Sequence, residues 1–417
     1  MYKAPFFRRI GLALLATLVP AAATLEARPL FEIQTDVPSI GGGGSSLPDL
    51  IEDFIRVRED FSGLDALADY NATLHYAGVA GAIEIEVAQF GNEATLHIPS
   101  TGFSRTFTGA SRDEIHQQIE DFIQDEGARE WGRFNREMNR HSLVAVTDGN
   151  PNSTTARTAE ATFQEFGTRP GRTRGERYHG GSVRGRVGFS LFPGYSRFEA
   201  GDFKGEAYSL HLAGRFRFNE RFSLALLAPV SYLKVEDATV YRAGVTAGVP
   251  VTLIPDRPRA PIFWQVTPSA GLTGAGSVDF AAGGLVEHYT ATSLLSYNLQ
   301  NVTLSMGNQY GVYRGRNTSY DDYEFDTDLN QRIVRNGLSV SVPLPGRFVV
   351  DVFGRETRFR REAAMDRYRE LGGDVVFRFG GRSAARPGRG YLKAGLAREF
   401  GNDYKALKGQ AGLGLRF

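Results

Sequence analysis

The sequence contains no cysteine, no excess of charge of one sign and no long apolar run after its first residues. Without cysteine, neither a disulfide framework nor a lipid-modified cysteine is possible. The 48 basic and 47 acidic residues give a net charge of +1, so nothing in the charge balance indicates nucleic-acid binding. After the N-terminus, no stretch reaches the ~18 apolar residues that a membrane helix needs.

The N-terminal segment, residues 1–27, has the organisation of a secretory signal peptide. Lys3 and Arg8 precede a short apolar stretch that ends at Pro20, and small residues follow up to Ala27. The apolar stretch is too short for an anchor helix and is interrupted by proline. The sequence therefore predicts export across the inner membrane, with cleavage of the signal peptide.

Composition and periodicity divide the rest of the chain into four segments. Residues 28–46 contain the run GGGGSS and are predicted to form a flexible Gly/Ser linker. Residues 47–167 combine helical patterns with four short alternating runs, which predicts a small α/β (α+β) module. A basic, glycine-rich linker is predicted over 168–181, and a β-domain over 182–417.

The last helical pattern of the module runs over 153–166. It places Ala156, Ala159, Phe163 and Phe166 on one face, because residues three or four positions apart share a face of a helix. An apolar face of this kind usually packs against a hydrophobic core. We therefore interpret the face as part of the core of the module.

From residue 182 onward, apolar and polar residues alternate with the period of two that characterises β-strands. We count about twelve such runs, joined by connections of which 314–330 is among the longest. This pattern predicts a mainly β fold with a transmembrane antiparallel barrel. In the last run, the apolar face carries Leu407, Ala411, Leu413, Leu415 and Phe417, and the polar face carries Lys408, Gln410 and Arg416.

The arrangement of the two faces predicts where the barrel lies. In lipid every backbone N–H and C=O needs a partner within the protein, so strands cross a bilayer only as a closed barrel. A soluble barrel needs an apolar interior, whereas the polar faces here are rich in Arg, Ser, Thr and Gly. Aromatic residues such as Tyr208, Tyr241 and Trp264 fall near strand ends, as in interfacial girdles. We predict the outer membrane of a Gram-negative bacterium, with its lipid as the surrounding partner.

Residues 182–417 resemble the C-terminal translocator domain of autotransporters. The resemblance rests on the alternating runs, on the helical pattern before the first run and on the terminal sequence GQAGLGLRF. Ala411, Leu413, Leu415 and Phe417 resemble the signal that the barrel-assembly machinery reads, so this machinery is an implied partner. The resemblance also implies that the helix over 153–166 fills the lumen.

The inward face of the predicted barrel carries more basic than acidic residues. Its acidic positions are Asp351, Asp374 and Glu399. Charged lining residues set the selectivity of a pore, so an open lumen is predicted to favour small anions. The basic, predicted pore-lining positions are Arg184, Arg186, Arg215, Arg217, Arg242, Arg335, Arg355, Arg378, Lys393, Lys408 and Arg416.

Three functional interpretations follow from the sequence. The first is a monomeric, non-enzymatic barrel of autotransporter type that anchors or exports its N-terminal module. The second is a narrow, porin-like pore that favours anions and carries a resident periplasmic domain. The third is a barrel hydrolase that uses His211 or His288, for which the required geometry cannot be read from sequence. No cofactor, metal ion or nucleic-acid partner is predicted.

Overall fold

The structure is a computed structural model. No helix in the residues that it describes is both long and apolar enough to cross a membrane. The predicted signal peptide and most of the predicted linker over 168–181 lie outside these residues. The described ranges are 29–36, 41–47, 50, 70–87, 93–122, 127–168, 187–255, 261–299, 302–320, 323–325, 329–379 and 390–416.

The N-terminal part forms a small antiparallel sheet with two helices. Its strands are β1 (Phe31–Thr35), β2 (Gly41–Gly44), β3 (Tyr70–Tyr76), β4 (Val79–Val87), β5 (Glu93–Ile98) and β6 (Phe103–Thr108). They lie in the order β2-β1-β3-β4-β5-β6. The helices are α1 (Arg112–Asp121) and α2 (Ala128–His141). We call the described residues of 29–141 the N-terminal module.

The prediction of a flexible linker over 28–46 is wrong where this segment is described. β1 and β2 pair antiparallel, with Phe31 opposite Gly44 and Gln34 opposite Gly41, and β1 also pairs with β3. Glycine lacks a side chain but keeps both of its backbone hydrogen-bonding groups, so four glycines can complete a strand. The sheet therefore begins before residue 47.

Residues 187–416 form a closed antiparallel barrel of twelve crossings. The segments β10 and β11 form one crossing, because both pair with β12. The barrel closes between β7 and β21, where Leu191 lies opposite Leu413. The strands are β7 (Val187–Ala200), β8 (Phe203–Arg217), β9 (Ser223–Val235), β10 (Ala238–Gly248), β11 (Val251–Ile254), β12 (Ile262–Ser277), β13 (Ala282–Leu299), β14 (Val302–Arg316), β17 (Asn330–Pro343), β18 (Phe348–Phe359), β19 (Arg367–Phe379), β20 (Gly390–Gly401) and β21 (Tyr404–Arg416). A hairpin of β15 (Thr318–Tyr320) and β16 (Tyr323–Phe325) lies between β14 and β17.

Each crossing exposes large apolar side chains on the outer face of the barrel. Tyr241 and Leu338, for example, are 63% and 65% exposed. A continuous apolar belt around a protein is stable against lipid and not against water. The barrel is therefore an outer-membrane barrel, as the alternation predicts. One exposed residue from each crossing is Phe189, Leu210, Leu226, Val245, Leu272, Tyr289, Leu304, Leu338, Val352, Leu371, Leu392 and Leu407.

The barrel has two different ends. β7 begins and β21 ends at one of them, which we call the opposite end. At the other, the module end, the connection over 278–281 packs against the N-terminal module: Tyr76 Oη donates a hydrogen bond to the Phe280 carbonyl (2.8 Å), and Trp131 Nε1 donates to the Ala281 carbonyl (2.8 Å). One continuous apolar core extends from the module into the module end of the barrel.

The connections at the module end differ widely in length. The longest, 317–329, lies at the module end. The connections 201–202, 236–237 and 402–403 lie at the same end and are tight turns. At this end the strands are long enough to carry buried residues that pack on the module, such as Phe198 and Val235.

Candidate functional site in the barrel lumen

A third helix, α3 (Thr154–Phe166), occupies the barrel lumen. The chain enters at the module end, where the N–H groups of Thr154 and Thr155 donate to the carbonyls of Val146 and Thr147 (3.0 and 3.1 Å). The Ser153 side chain caps the helix by accepting a hydrogen bond from the Ala156 N–H (3.4 Å). These bonds satisfy N–H groups that a helix start otherwise leaves unpaired.

The composition of α3 suits an enclosed helix. Its buried residues are mostly Ala and Thr, which keep the helix narrow, and they lie on all of its sides. The apolar face with Ala156, Ala159, Phe163 and Phe166 is buried as predicted. Ala156 and Ala159 belong to the apolar core that extends from the module into the barrel, whereas Phe163 and Phe166 pack against glycines of the barrel wall. The interpretation as module core is therefore wrong for the C-terminal half of this face, and the position in the lumen implied by the resemblance is observed.

The C-terminal half of α3 is fitted to the wall through glycines. A Cβ atom on Gly307 would lie 2.8 Å from the ring of Phe163 and 2.3 Å from the carbonyl oxygen of Gly167. A Cβ on Gly248 would lie 2.7 Å from the ring of Phe166. Both separations are shorter than a normal van der Waals contact, so these positions require glycine for the helix to lie where it does.

The N-terminal half of α3 faces a group of buried carboxylates. Glu160 on α3, Glu370 on β19 and Glu399 on β20 place carboxylate oxygens within 4.8 Å of one another. Such a group could bind a divalent cation. The ammonium group of Lys408 lies among them instead: it pairs with Glu160, lies 3.0 Å from Glu399 Oε1 and 3.7 Å from Glu370 Oε1. The arrangement thus favours an ion-pair network over a metal centre.

Three arginines complete this network. Arg157 on α3 pairs with Glu160 (2.6 Å), whereas Arg335 and Arg355 on the wall pair with Glu370 (2.6 and 3.2 Å). The guanidinium of Arg335 also lies 5.5 Å from the centre of the Phe163 ring. The network ties α3 to five strands of the wall, β17 to β21. We call these seven residues the lumen ion cluster: Arg157, Glu160, Arg335, Arg355, Glu370, Glu399 and Lys408.

Of the other predicted lining residues, two form ion pairs elsewhere in the lumen. Arg215 pairs with Glu165 of α3 (3.1 Å), and Lys393 pairs with Asp374 of the wall (3.0 Å). The side chain of Arg242 is buried beside Thr154. Arg217 and Arg378 are half-buried, and Arg184, Arg186 and the side chain of Arg416 lie outside the described residues.

The two barrel histidines lie beside amide and hydroxyl groups. His211 Nδ1 lies 3.3 Å from Gln164 Oε1 of α3. His288 Nε2 lies 3.0 Å from Thr246 Oγ1, and its ring stacks on Tyr313. Neither of these recorded neighbours is the carboxylate that a Ser/His/acid site requires.

The predicted assembly signal keeps the alternation of the closing strand. Ala411 is exposed, Leu413 and Leu415 are half-buried on the outer face, and Gly412 and Gly414 between them are buried. Phe417 lies outside the described residues. The role of this sequence in assembly stays a prediction.

Sequence reasoning missed three residues of the lumen ion cluster. Arg157 and Glu160 belong to α3, for which the sequence pattern predicts only an apolar face. Glu370 lies an even number of residues from Asp374 on the same strand, and this alternation alone could have placed it on the inward face.

A closed barrel with an apolar belt and a charged lumen defines the class: an outer-membrane β-barrel protein. The fold implied by the resemblance to autotransporter translocator domains, twelve crossings with a helix before the first, is confirmed.

Comparisons with known proteins add names of similar structures. No family model and no curated protein matches the chain. One similar solved structure is the translocator domain of the autotransporter NalP from Neisseria meningitidis (15% identity, 63% of this chain and 98% of that chain, TM-score 0.43). Others are the transport unit of the autotransporter AIDA-I from Escherichia coli (14%, 58% and 92%, TM-score 0.39) and an outer-membrane channel from Pseudomonas putida F1 (11%, 60% and 100%, TM-score 0.43).

Proposed function

We propose that this protein is a non-enzymatic barrel of autotransporter type that anchors its N-terminal module at the outer surface of the outer membrane. The path of the chain carries the proposal. The module packs on one end of the barrel, α3 passes into the lumen from that end, and β7 begins at the opposite end. On this path, the N-terminal module and the first residue of the first barrel strand lie on different sides of the membrane.

The orientation of the barrel supports an outward-facing module. Outer-membrane barrels have longer loops outside the cell and shorter turns in the periplasm. The longest connection, 317–329, lies at the module end. The opposite end, with the start of β7 and the end of β21, then faces the periplasm.

The contacts at the module end favour anchoring over release. The ring of Phe31 packs edge-on against Phe280 of the barrel, with centroids 5.6 Å apart. The Leu47 N–H donates to the Asp279 carbonyl of the barrel (2.7 Å), and the Met365 N–H of the barrel donates to the carbonyl of Gly149, in the segment that joins the module to α3 (3.0 Å). A module with these shared contacts stays attached to the barrel that carries it.

The second candidate is the anion-favouring pore. The excess of lumenal cations supports it, because the lumen ion cluster has four basic and three acidic residues. Against it, α3 fills the lumen, and the cavity beside the helix measures about 60 Å³. Conduction by this route requires α3 to leave, so we favour the anchor.

Single cysteines test the orientation directly, since the chain has none. Ser100 is exposed in the turn between β5 and β6, and Arg347 is exposed between β17 and β18 at the opposite end. We expect a membrane-impermeant maleimide to label Ser100→Cys on intact cells. Arg347→Cys, the matched control, should react only after the outer membrane is permeabilised.

The reverse pattern, with Ser100→Cys protected and Arg347→Cys labelled, would place the module in the periplasm and overturn the proposal. Release of a labelled fragment into the medium would instead contradict anchoring while leaving the orientation intact. Both outcomes are read from the same gel of cell and medium fractions.

A further inference from the structure

Arg242 on β10 differs from the other fully buried arginines of the lumen. It is 5% exposed, and its Nε donates to Thr154 Oγ1 (3.2 Å). Its Nη2 is buried without a hydrogen-bond partner. Within the described part of the chain no carboxylate forms an ion pair with it, whereas Arg335, equally enclosed, pairs with Glu370 at 2.6 Å.

A buried cation without a counter-charge is unstable, because burial removes its hydration and nothing replaces it. A water molecule can accept the hydrogen bond from Nη2 but brings no net charge. The usual solution in proteins is a carboxylate, and the described residues do not provide one here. The geometry therefore requires a negative group other than those of the described residues.

The surroundings of Arg242 add positive charge. Arg157 lines the same cavity, and the lumen ion cluster that contains it has one more cation than carboxylates. α3 begins at Thr154, so the positive end of its dipole also lies at this point. These groups all favour an anion over a cation or a neutral molecule.

The cavity is built to hold a small ligand. It measures about 60 Å³, lies between α3 and the wall, and is lined by Arg157, Arg242, Lys408 and the hydroxyl-bearing residues Thr154, Thr158 and Thr273. Glu160 also lines it, but this carboxylate is paired with Arg157 and Lys408, so the lining keeps a net positive charge. The Thr154 hydroxyl donates to the Val146 carbonyl (2.9 Å), and the Thr158 hydroxyl donates to Thr273 Oγ1 (3.2 Å). Thr273 is therefore the hydroxyl that can turn its proton toward an anion. The volume suits a halide ion better than a bulky organic acid.

We propose that Arg242, with the hydroxyl of Thr273, forms a binding site for a small inorganic anion such as chloride, held between α3 and the barrel wall. The site adds a soluble ion to the contacts that hold the helix in the lumen. It goes beyond the proposed anchoring function and does not depend on the orientation of the barrel.

Thermal unfolding of the full-length protein in detergent tests the site, with bromide as the probe. Bromide is exchanged for gluconate at constant ionic strength, because gluconate is too large for the cavity. A ligand that binds only the folded state shifts the equilibrium by mass action. Each tenfold rise in bromide above its dissociation constant should raise the folded-to-unfolded ratio about tenfold.

Arg242→Met should lose the bromide dependence. Arg215→Met is the matched control: it removes another lumenal arginine next to α3, but one that is paired with Glu165, and it should keep the dependence. If Arg242→Met fails to fold, anomalous scattering from bromide in wild-type crystals replaces it, with a peak expected beside Nη2.

Two results would overturn the proposal. Equal stability of the wild-type protein in bromide and gluconate would mean that water alone satisfies Arg242. An unchanged bromide dependence in Arg242→Met, or an anomalous peak only at the protein surface, would place the anion elsewhere.

Discussion

The two halves of α3 are held in the same lumen by different interactions. In the N-terminal half, Arg157 and Glu160 form ion pairs with one another and with the wall. In the C-terminal half, the rings of Phe163 and Phe166 press against wall positions that lack side chains, such as Gly307. The N-terminal half depends on a network of charges, whereas the C-terminal half depends mainly on close packing and adds the single ion pair of Glu165 with Arg215.

This difference shows how an enclosed helix can be both fixed in register and tightly packed. Buried ion pairs add little net stability compared with apolar replacements, but each is costly to break once formed. They therefore fix which residues face one another. Close packing of rings on glycine adds dispersion contacts at a distance that no other residue permits. Substitutions in the two halves should thus fail in different ways.

The largest effect is expected when a charge of the N-terminal half is removed. Glu160→Gln leaves Lys408 and Arg157 with one fewer buried partner, and breaking a buried pair typically costs about 3–5 kcal/mol. We expect a loss of this size in the free energy of unfolding of the detergent-solubilised protein. Urea titration followed by circular dichroism measures it.

Glu356→Gln is the control for this change. Glu356 pairs with Arg369 (3.0 Å), whose side chain is half exposed, and exposed pairs contribute about 0–1 kcal/mol. Similar losses of unfolding free energy in Glu160→Gln and Glu356→Gln would show that charges in the lumen are screened as strongly as charges exposed to solvent.

A second effect concerns the loop that leads into α3. Asp148 is buried; Gln331 Nε2 donates to its Oδ2 (2.7 Å) and Thr155 donates to its Oδ1. Burial raises the pKa of Asp148 from 3.8 to about 6 despite these hydrogen bonds. Between these two values the folded protein keeps a proton that the unfolded chain has lost, so stability falls as pH rises through about 6.

Asp148→Asn should remove this part of the pH dependence. Between pH 4 and pH 7 the variant should gain stability relative to wild type, by on the order of 3 kcal/mol in the free energy of unfolding. A parallel curve for Asp148→Asn would mean that Asp148 stays ionised in the folded protein.

The smallest effect is expected in the packed half. Gly307→Ala forces Phe163 and Gly167 away from the wall, and overpacking of this kind costs about 1–3 kcal/mol. Gly214→Ala is the control, since a Cβ there meets no atom within 4 Å. The temperature at which each variant changes its gel mobility compares the two. Equal transition temperatures would show that α3 does not pack closely against Gly307.

The parts of the fold that follow from alternation could be predicted from the sequence. Lipid requires an apolar residue at every second position of a crossing, so exposed residues such as Leu338 and Val340 reveal the strand and its outer face together. Leu227 interrupts the pattern because it points inward, where it packs with Ala161 of α3 and Ala213 of β8.

The candidate site was less accessible to prediction. An apolar helical face such as that of Ala156 and Phe163 has the same sequence whether a module core or a barrel wall buries it. The pairing of Glu370 with Arg335 and Arg355 joins three separate strands, so it depends on register, which a sequence pattern does not specify. Gly41–Gly44 has the composition of a linker, and only its pairing with β1 makes it a strand.

The apolar core that the N-terminal module shares with the barrel has a kinetic consequence. Without the barrel, the rings of Phe31 and Tyr76 lack their contact with Phe280, and Trp131 lacks the acceptor for its indole N–H. If the module travels outward through the barrel, as the proposed function implies, it stays incompletely folded until its contacts with the module end of the barrel form. On that route its final folding step takes place at the outer surface and opposes any return movement.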